Sequence, residues 1–530
     1  MNELQKVCMK AKELIMDCKV TFLPSGESIT INDSATIMDA ERALELSFEY
    51  PCGGNGTCGK CLVDIECDGR KYRAKACTTK VSDGMVVTLP DDVGVHQEKV
   101  MTSGCPTTSC DMSSPLADYS NMSNAPLGIA FDIGTTTIAA YLLDLCSGEI
   151  IDTLGELNEQ VKYGGDVISR CIYSLENGVD EISACVNDQT SKMIEKIIAK
   201  NGKNGNDVCS ITIVGNTCMQ HIYAGINPTT LVEIPYMPTK YGSFQLPAKG
   251  IINNVNENAS IYFIPVIAGF IGADTVGAIL ATRFYQRDNT TLLLDIGTNG
   301  EMALGNKDRF VVCSTASGPA FEGAKIVCGM RGAPGAIDHI WMDGDELKYS
   351  TIDGLEAIGI CGSGLIDFCR VILDTGVIMP SGRFDRKYEG SLASRIESID
   401  GTKAFRLTDK VYVTQKDIRE VQLAKGAIAA GIEIMAEVLG ITYDDITKVL
   451  IAGAFGNYMD PDSTCRIGLI PSELRQKITP VGNAAGEGSK LCLLSSDEYK
   501  TCDLIAEKAE FIELASHEKF QEKFIAQLDF

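Results

Sequence analysis

The feature that most narrows the fold is a repeated motif. Asp132-Ile-Gly-Thr and Asp295-Ile-Gly-Thr each end one apolar run and precede another, in GIAFDIGTTTIAAYLLD and LLLDIGTNGEMAL. Each copy reads as a strand, a glycine turn and a return strand. One such turn is an ordinary hairpin; two in one chain point to an internal duplication. Backbone N–H groups and hydroxyls of Gly134, Thr135 and Thr136, and of Gly297 and Thr298 with Asn299, can cradle phosphate oxygens there. Asp132 and Asp295 can each hold Mg2+ through water, and Glu301 adds a polar group to the second copy. The chain has no GxxxxGK[ST] loop, so phosphate binding rests on these two turns.

A third turn follows an apolar strand in VLIAGAFG, where Gly453, Ala454 and Gly456 leave room for a flat nucleobase and ribose. Before it runs a long helix from about Lys416 to Leu439, capped by Thr414 with Asp417 and Glu420 in its first turn. Gly362-Ser-Gly364 reads either as a further nucleotide contact or as a turn connecting subdomains.

The first hundred residues carry different chemistry. Val20 and Phe22, then Ile29 and Ile31, alternate about Pro24-Ser25-Gly26, which is a hairpin pattern. Asp33 or Ser34 is placed to cap a helix through Leu46, with Ile37, Ala40 and Leu44 as its stripe. Cys52, Cys58 and Cys61 then follow in C-x5-C-x2-C spacing, with Cys77 further on. Four thiolates suit a 2Fe-2S cluster, whose sulfides need close backbone N–H groups that Gly53, Gly54, Gly56 and Gly59 leave unobstructed. A zinc ribbon is the plainer option, but its ligands come as two C-x2-C pairs and only one is present. Cys67 shares a strand face with Val63 and Ile65 and reads as a core residue.

Residues 96–126 are rich in Ser, Thr, Pro and Asn and read as a flexible tether, with Cys105 and Cys110 in it as two thiols. Lys plus Arg number 47 against 71 Asp plus Glu, a net charge of −24, which disfavours nucleic acid and anionic lipid. No apolar run reaches the roughly 18 residues a spanning helix needs, and the N-terminus lacks a signal-peptide core. A cytoplasmic protein is expected, without membrane attachment. Cysteines number 21 and histidines 4, a balance expected of a reduced compartment, in which most cysteines after Cys146 are small core residues.

The order of the two DIGT turns and the AGAFG turn resembles the actin, sugar-kinase and heat-shock-chaperone ATPases, in which two ribonuclease-H-like subdomains close over ATP. The N-terminal strand–helix–loop order resembles a β-grasp ferredoxin. Together with NEQVKYGGDVISR, VGNTCMQHIYAGINP, GFIGADTVGA, ASGPAFEGA and GICGSGLID, the chain resembles the reductive activators of corrinoid enzymes. That resemblance implies an α/β and α+β multidomain chain: an extension over 1–17, a ferredoxin-type domain over 18–95, the linker over 96–126, and ATPase subdomains over 127–290 and 291–530. It implies Mg2+-ATP, with Asp132 or Asp295 positioning metal or water, and a corrinoid protein whose cobalt(II) is returned to cobalt(I). An upstream ferredoxin or flavodoxin and a homodimer are implied as well. A plant-type cluster lies near about −400 mV and cobalt(I) is harder to reach, so the electron transfer needs coupling to ATP. Two other readings compete: an ATP-binding redox sensor, and an activator of the 2-hydroxyacyl-CoA dehydratase type, which lacks a ferredoxin module. A fused sugar kinase leaves the cluster motif unexplained.

Overall fold

The computed structural model of the protein describes residues 17–44, 46, 54, 56, 61–89, 110–456 and 458–530. The chain divides into two units, one of residues 1–97 with 161–166 and one of the remainder.

The first unit holds a five-stranded sheet. Strands β1 (Asp17–Leu23) and β2 (Ser28–Asn32) form the expected hairpin, and β3 (Leu62–Cys67), β4 (Arg70–Lys75) and β5 (Met85–Thr88) complete the order β2-β1-β5-β3-β4. β1 pairs parallel with β5, while the other pairings are antiparallel. Val20, Phe22, Val63, Ile65 and Val87 fill the core against Ile37 and Ala40 of helix Ile37–Ala43. That helix is capped by Thr36, not by Asp33 or Ser34. Thr36 and Asp39 form a reciprocal capping box, whereas Ser34 is tied into a turn by Asn32 Oδ1 at 2.7 Å. The helix ends at Ala43, short of Leu46, with Leu44 as its C-cap. Cys67 packs partly buried against the core, and burial raises its thiol pKa.

The second unit shows the duplication directly. β6 (Leu127–Ile133), β7 (Thr137–Asp144), β8 (Ile150–Leu157), β9 (Val208–Gly215), β10 (Phe244–Pro247) and β11 (Ser260–Phe263) form one sheet in the order β10-β11-β9-β6-β7-β8. β12 (Thr291–Ile296), β13 (Gly300–Gly305) and β14 (Phe310–Thr315) open the second half. It continues through two small sheets, one of β15 (Ala336–Asp343), β16 (Glu346–Thr351) and β17 (Gly359–Ile360), the other of β18 (Ile396–Ile399), β19 (Thr402–Arg406) and β20 (Tyr412–Thr414). β21 (Lys448–Ala452), β22 (Ile478–Gly482) and β23 (Glu510–Phe511) then complete the sheet β22-β21-β12-β13-β14-β23. In both halves the DIGT hairpin leads an antiparallel meander, and its first strand pairs parallel with a later strand that ends in a turn onto a helix. Those central strands are buried on both faces, which is why their sequences are nearly continuous apolar runs.

Helix Ala273–Ala281 packs against helix Ala484–Leu494, joining the two halves. They meet at Gly277 and Gly488: a Cβ on Gly488 would lie 2.3 Å from the Gly277 carbonyl oxygen. Their apolar residues share one core with residues of both sheets, such as Val214 from the first and Leu293 and Leu450 from the second. The long helix is Gln415–Leu439, capped by Thr414 with Asp417 in a capping box and ended by Gly440 at φ +69°.

Residues 96–109 of the expected tether lie outside the described residues, but 110–126 pack onto the second unit. Tyr119 is buried and accepts from Ser210 Oγ at 3.1 Å, Ser114 O accepts from Ser496 N at 2.7 Å, and Cys110 rests on the core. Leu116, Tyr119 and Met122 supply the apolar contacts that the polar composition of this stretch concealed. Cys105 lies outside the described residues. Among the described cysteines after Cys146, most are buried, including Cys171, Cys313 and Cys369. No helix among the described residues is long and apolar enough to cross a membrane.

Candidate functional site

In the second unit the two hairpin turns close in the same way. Gly134 N donates to Thr137 O and Gly297 N to Asn299 O, each at 2.9 Å. A Cβ on Gly134 would stand 2.8 Å from the Thr137 carbonyl, so the turn excludes a side chain. The backbone around Thr135 is held from beneath by Arg170, fully buried, whose guanidinium donates to Thr135 O at 2.5 Å. Thr135 Oγ1 accepts from Asn216 Nδ2 at 2.9 Å, and Asn216 also caps helix Thr217–Tyr223.

Four carboxyls gather here from separate stretches of chain. Asp132 and Asp295 are the penultimate residues of β6 and β12, and Glu301 stands directly across the hairpin from Asp295. Asp274 lies in the first turn of helix Ala273–Ala281. That helix start is pressed onto β9, since a Cβ on Gly272 would fall 2.5 Å from Asn216 Cα. Burial pushes Asp132 and Asp295 up to about 7 and Asp274 to about 6, and it lifts Glu301 well above the usual carboxylate range. Mutual repulsion adds to each of Asp132, Asp295 and Glu301. Together these four carboxyls form a partly exposed acidic wall. Among the described residues no three His, Cys, Asp or Glu side chains are arranged to hold a metal ion.

Asp132 is anchored by Asn483, whose side-chain amide donates to Oδ2 at 2.8 Å and to the Tyr141 hydroxyl at 3.1 Å. Lys490 lies 4.7 Å from the Tyr141 ring centroid and pairs with Glu487 at 2.6 Å, both fully enclosed. Glu322 joins the two turns: Thr298 Oγ1 donates to it at 2.5 Å and Thr136 Oγ1 at 3.3 Å. Gly453, at φ +85°, begins the third turn, and a Cβ there would meet Asp295 Oδ1 at 2.8 Å. The AGAFG turn therefore abuts the second carboxylate. Gly456 closes against Ile451, and Ala454 contributes backbone to the same short helix, Gly453–Gly456. The Gly362-Ser363-Gly364 segment packs on β15 instead: a Cβ on Gly364 would lie 2.3 Å from Ile337 O, and Ser363 Oγ donates to Asp338 O at 2.9 Å. These residues form the first turn of helix Gly362–Asp374, whose N-cap is Cys361.

In the first unit, Cys61 and Cys77 are buried with their sulfurs 3.1 Å apart; Cys52 and Cys58 lie outside the described residues. Gly54 and Gly56 adopt φ of +93° and +69°. A Cβ on Gly54 would meet Met38 at 2.8 Å, and one on Gly56 would meet Thr78 at 2.9 Å. Paired thiols beside backbone that must stay bare fit the donor set of an iron–sulfur cluster.

Comparison with known proteins agrees with both units. Residues 17–91 match the model of a 2Fe-2S iron-sulfur cluster binding domain, 127–287 the RACo middle region, and 289–530 the C-terminal domain of RACo, the ASKHA domain. The corrinoid activation enzyme RamQ of Eubacterium limosum is 30% identical, aligned over 96% of this chain and 98% of that protein. The chain belongs to the corrinoid activation enzyme family. A methylated amine-specific corrinoid protein reductase of Methanosarcina barkeri is 27% identical over 76% of this chain and 77% of its own length. The solved structure of a reductive activator for corrinoid,iron-sulfur protein superposes with a TM-score of 0.70 at 28% identity, covering 97% of this chain and 98% of that one.

Within this family frame, the structure adds residues that motif reading passed over. Asp274 and Glu322 sit in the blocks GFIGADTVGA and ASGPAFEGA, and Asn216 in VGNTCMQHIYAGINP; those blocks signalled family without role. Arg170 likewise closes the block NEQVKYGGDVISR, whereas Asn483 lies outside every quoted block and reaches the first turn only through the fold.

Proposed function

We propose that this chain is an ATP-dependent reductive activator that passes one electron to a corrinoid protein, returning cobalt(II) to cobalt(I). The observation that carries the reading is the pairing, in one chain, of a cysteine-and-glycine cluster pocket with two phosphate turns walled by clustered carboxyls. The bound 2Fe-2S cluster supplies one-electron transfer, with Cys52, Cys58, Cys61 and Cys77 as its ligands. The chain's own task is to hold that centre in the first unit and to couple a nucleotide to it in the second. Gly134, Thr135, Thr136, Gly297, Thr298 and Asn299 bind the phosphates; Gly453, Ala454 and Gly456 face the adenosine. Asp132 or Asp295 would hold Mg2+ or position the attacking water, with Asp274 and Glu301 adding charge. ATP favours the conformation or complex in which the cobalt accepts an electron.

The same reading takes the cluster domain as 18–95 and the ATPase halves as 127–290 and 291–530. A ferredoxin or flavodoxin supplies the electron, the protein acts in the cytoplasm, and it pairs as a homodimer.

The test is anaerobic. Reduced protein, Mg2+-ATP and a cobalt(II) corrinoid protein are mixed, and the cobalt(I) absorption band is followed. Its growth only with ATP supports the reading. ATP binding with an intact cluster but no cobalt(I), across several corrinoid proteins, would turn the assignment towards a redox sensor.

A further inference from the structure

Glu322 is the one side chain among those described above that touches both phosphate turns, one from each half of the duplication. It lies in the stretch 317–324 that leaves β14. Ser317 Oγ donates to Thr298 O at 3.4 Å, and Gly318 and Gly323 bracket the stretch at φ +73° and +75°. The two hydroxyls it accepts from, Thr136 and Thr298, each carry a single proton to give. A phosphoryl group held by both turns needs those same protons. A carboxylate and a phosphate are both anions, so they repel one another as well as compete for donors. No lysine or arginine is paired with Glu322 among the described residues to relieve that repulsion.

We propose that Glu322 determines discrimination for the terminal phosphoryl group of the nucleotide. In the nucleotide-free chain its carboxylate occupies the hydroxyl donors of both turns. A nucleoside triphosphate takes those donors and expels Glu322 from between the turns, whereas a diphosphate leaves it in place. Triphosphate binding thereby moves the 317–324 stretch, and each half of the duplication reports the same event. The inference rests on reading Asp132–Thr136 and Asp295–Asn299 as the nucleotide site.

Equilibrium titration of the full-length protein with Mg2+-ATP and Mg2+-ADP tests it, using wild type, Glu322→Gln and Glu322→Ala. The amide of Glu322→Gln keeps the shape while losing the charge and the stronger, charge-assisted hydrogen bonds. Mg2+-ATP is expected to bind about five- to tenfold more tightly to Glu322→Gln, with Mg2+-ADP changed less than about twofold. Thr298→Val should weaken ATP binding and Thr298→Ser restore it. Unchanged or weaker ATP binding to both Glu322 variants, or an equal change for ATP and ADP, overturns the role of Glu322 alone. Failure of wild type to bind either nucleotide overturns the site reading, and the discrimination with it.

Discussion

Asn483 donates its side-chain amide to Oδ2 of Asp132 at 2.8 Å across 351 residues of sequence, tying the start of helix Ala484–Leu494 to the first DIGT turn. The same side chain caps helix Ala484–Leu494 through Gly486 N at 2.8 Å. One residue therefore orients a site carboxylate and starts the helix that knits the two halves.

Asn483→Ala should cost about 1–2 kcal/mol through the lost cap and the unpartnered Tyr141 hydroxyl. Its hydrogen bond lowers the Asp132 pKa, so the variant should also shift the ATPase pH profile upward. Denaturant melts and a pH–rate series measure the two effects separately. A profile that stays in place would show that Asn483 serves the helix alone.

Asp295→Asn removes one carboxylate from the partly exposed acidic wall while keeping its volume. The nucleotide-free protein should melt higher, because repulsion with Asp274 and Asp132 is relieved. ATP-dependent cobalt reduction should be lost while the cluster spectrum persists. Retained nucleotide binding and activity would count against Asp295 in the site.

The raised carboxyl pKa values also set a stability window. Asp132 and Asp295 titrate near about 7 in the fold against 3.8 as free side chains, so between those values the folded chain binds more protons than the unfolded one. Their stabilising contribution is full below 3.8 and is lost as pH rises through about 7. In chelator and without nucleotide, the melting temperature should therefore fall from about pH 4 to about pH 7 and level off above it, the window in which only the folded chain holds these protons. Asp274→Asn should flatten that slope, which thermal melts across the pH range would reveal.

Cys61→Ser or Cys77→Ala should abolish the visible cluster absorbance, whereas Cys67→Ala should leave it intact and cost about 1 kcal/mol or less for its partly buried methyl-sized volume. Cys58→Ala should match the first two. Anaerobic reconstitution followed by absorption and iron content distinguishes ligands from the core thiol.

Gly488→Leu places a side chain where even a Cβ would meet Gly277 at 2.3 Å. Overpacking of this kind costs about 1–3 kcal/mol or more, and here it forces the two halves apart. Chemical unfolding should show the loss, and Gly277→Leu should reproduce it.

Much of this protein was legible in its residues. The DIGT duplication marks two strand–turn–strand hairpins because a glycine turn between apolar runs has few other solutions, and the cysteine-and-glycine loop marks a cluster because it sets several thiolates beside bare backbone N–H groups. Thr414 and Asp417 announced the long helix through a local capping box. Local signals also misled where two were plausible: Ser34 lost the helix cap to Thr36 because Asp39 could answer Thr36 and Asn32 had already claimed Ser34. The polar stretch before β6 concealed Tyr119, whose burial depends on a surface supplied by β9 and the C-terminal helices.

The sequence by itself determined the parts whose physics is short-ranged: turns, caps, buried strands, ligand spacing. Only the tertiary structure decided that Asp132, Asp274, Asp295 and Glu301 share one acidic wall, that Glu322 touches both turns, and that Asn483 reaches back to Asp132. Those relationships depend on which surfaces meet when two sheets pack about the helices at Gly277 and Gly488, and no local pattern encodes a contact between segments hundreds of residues apart.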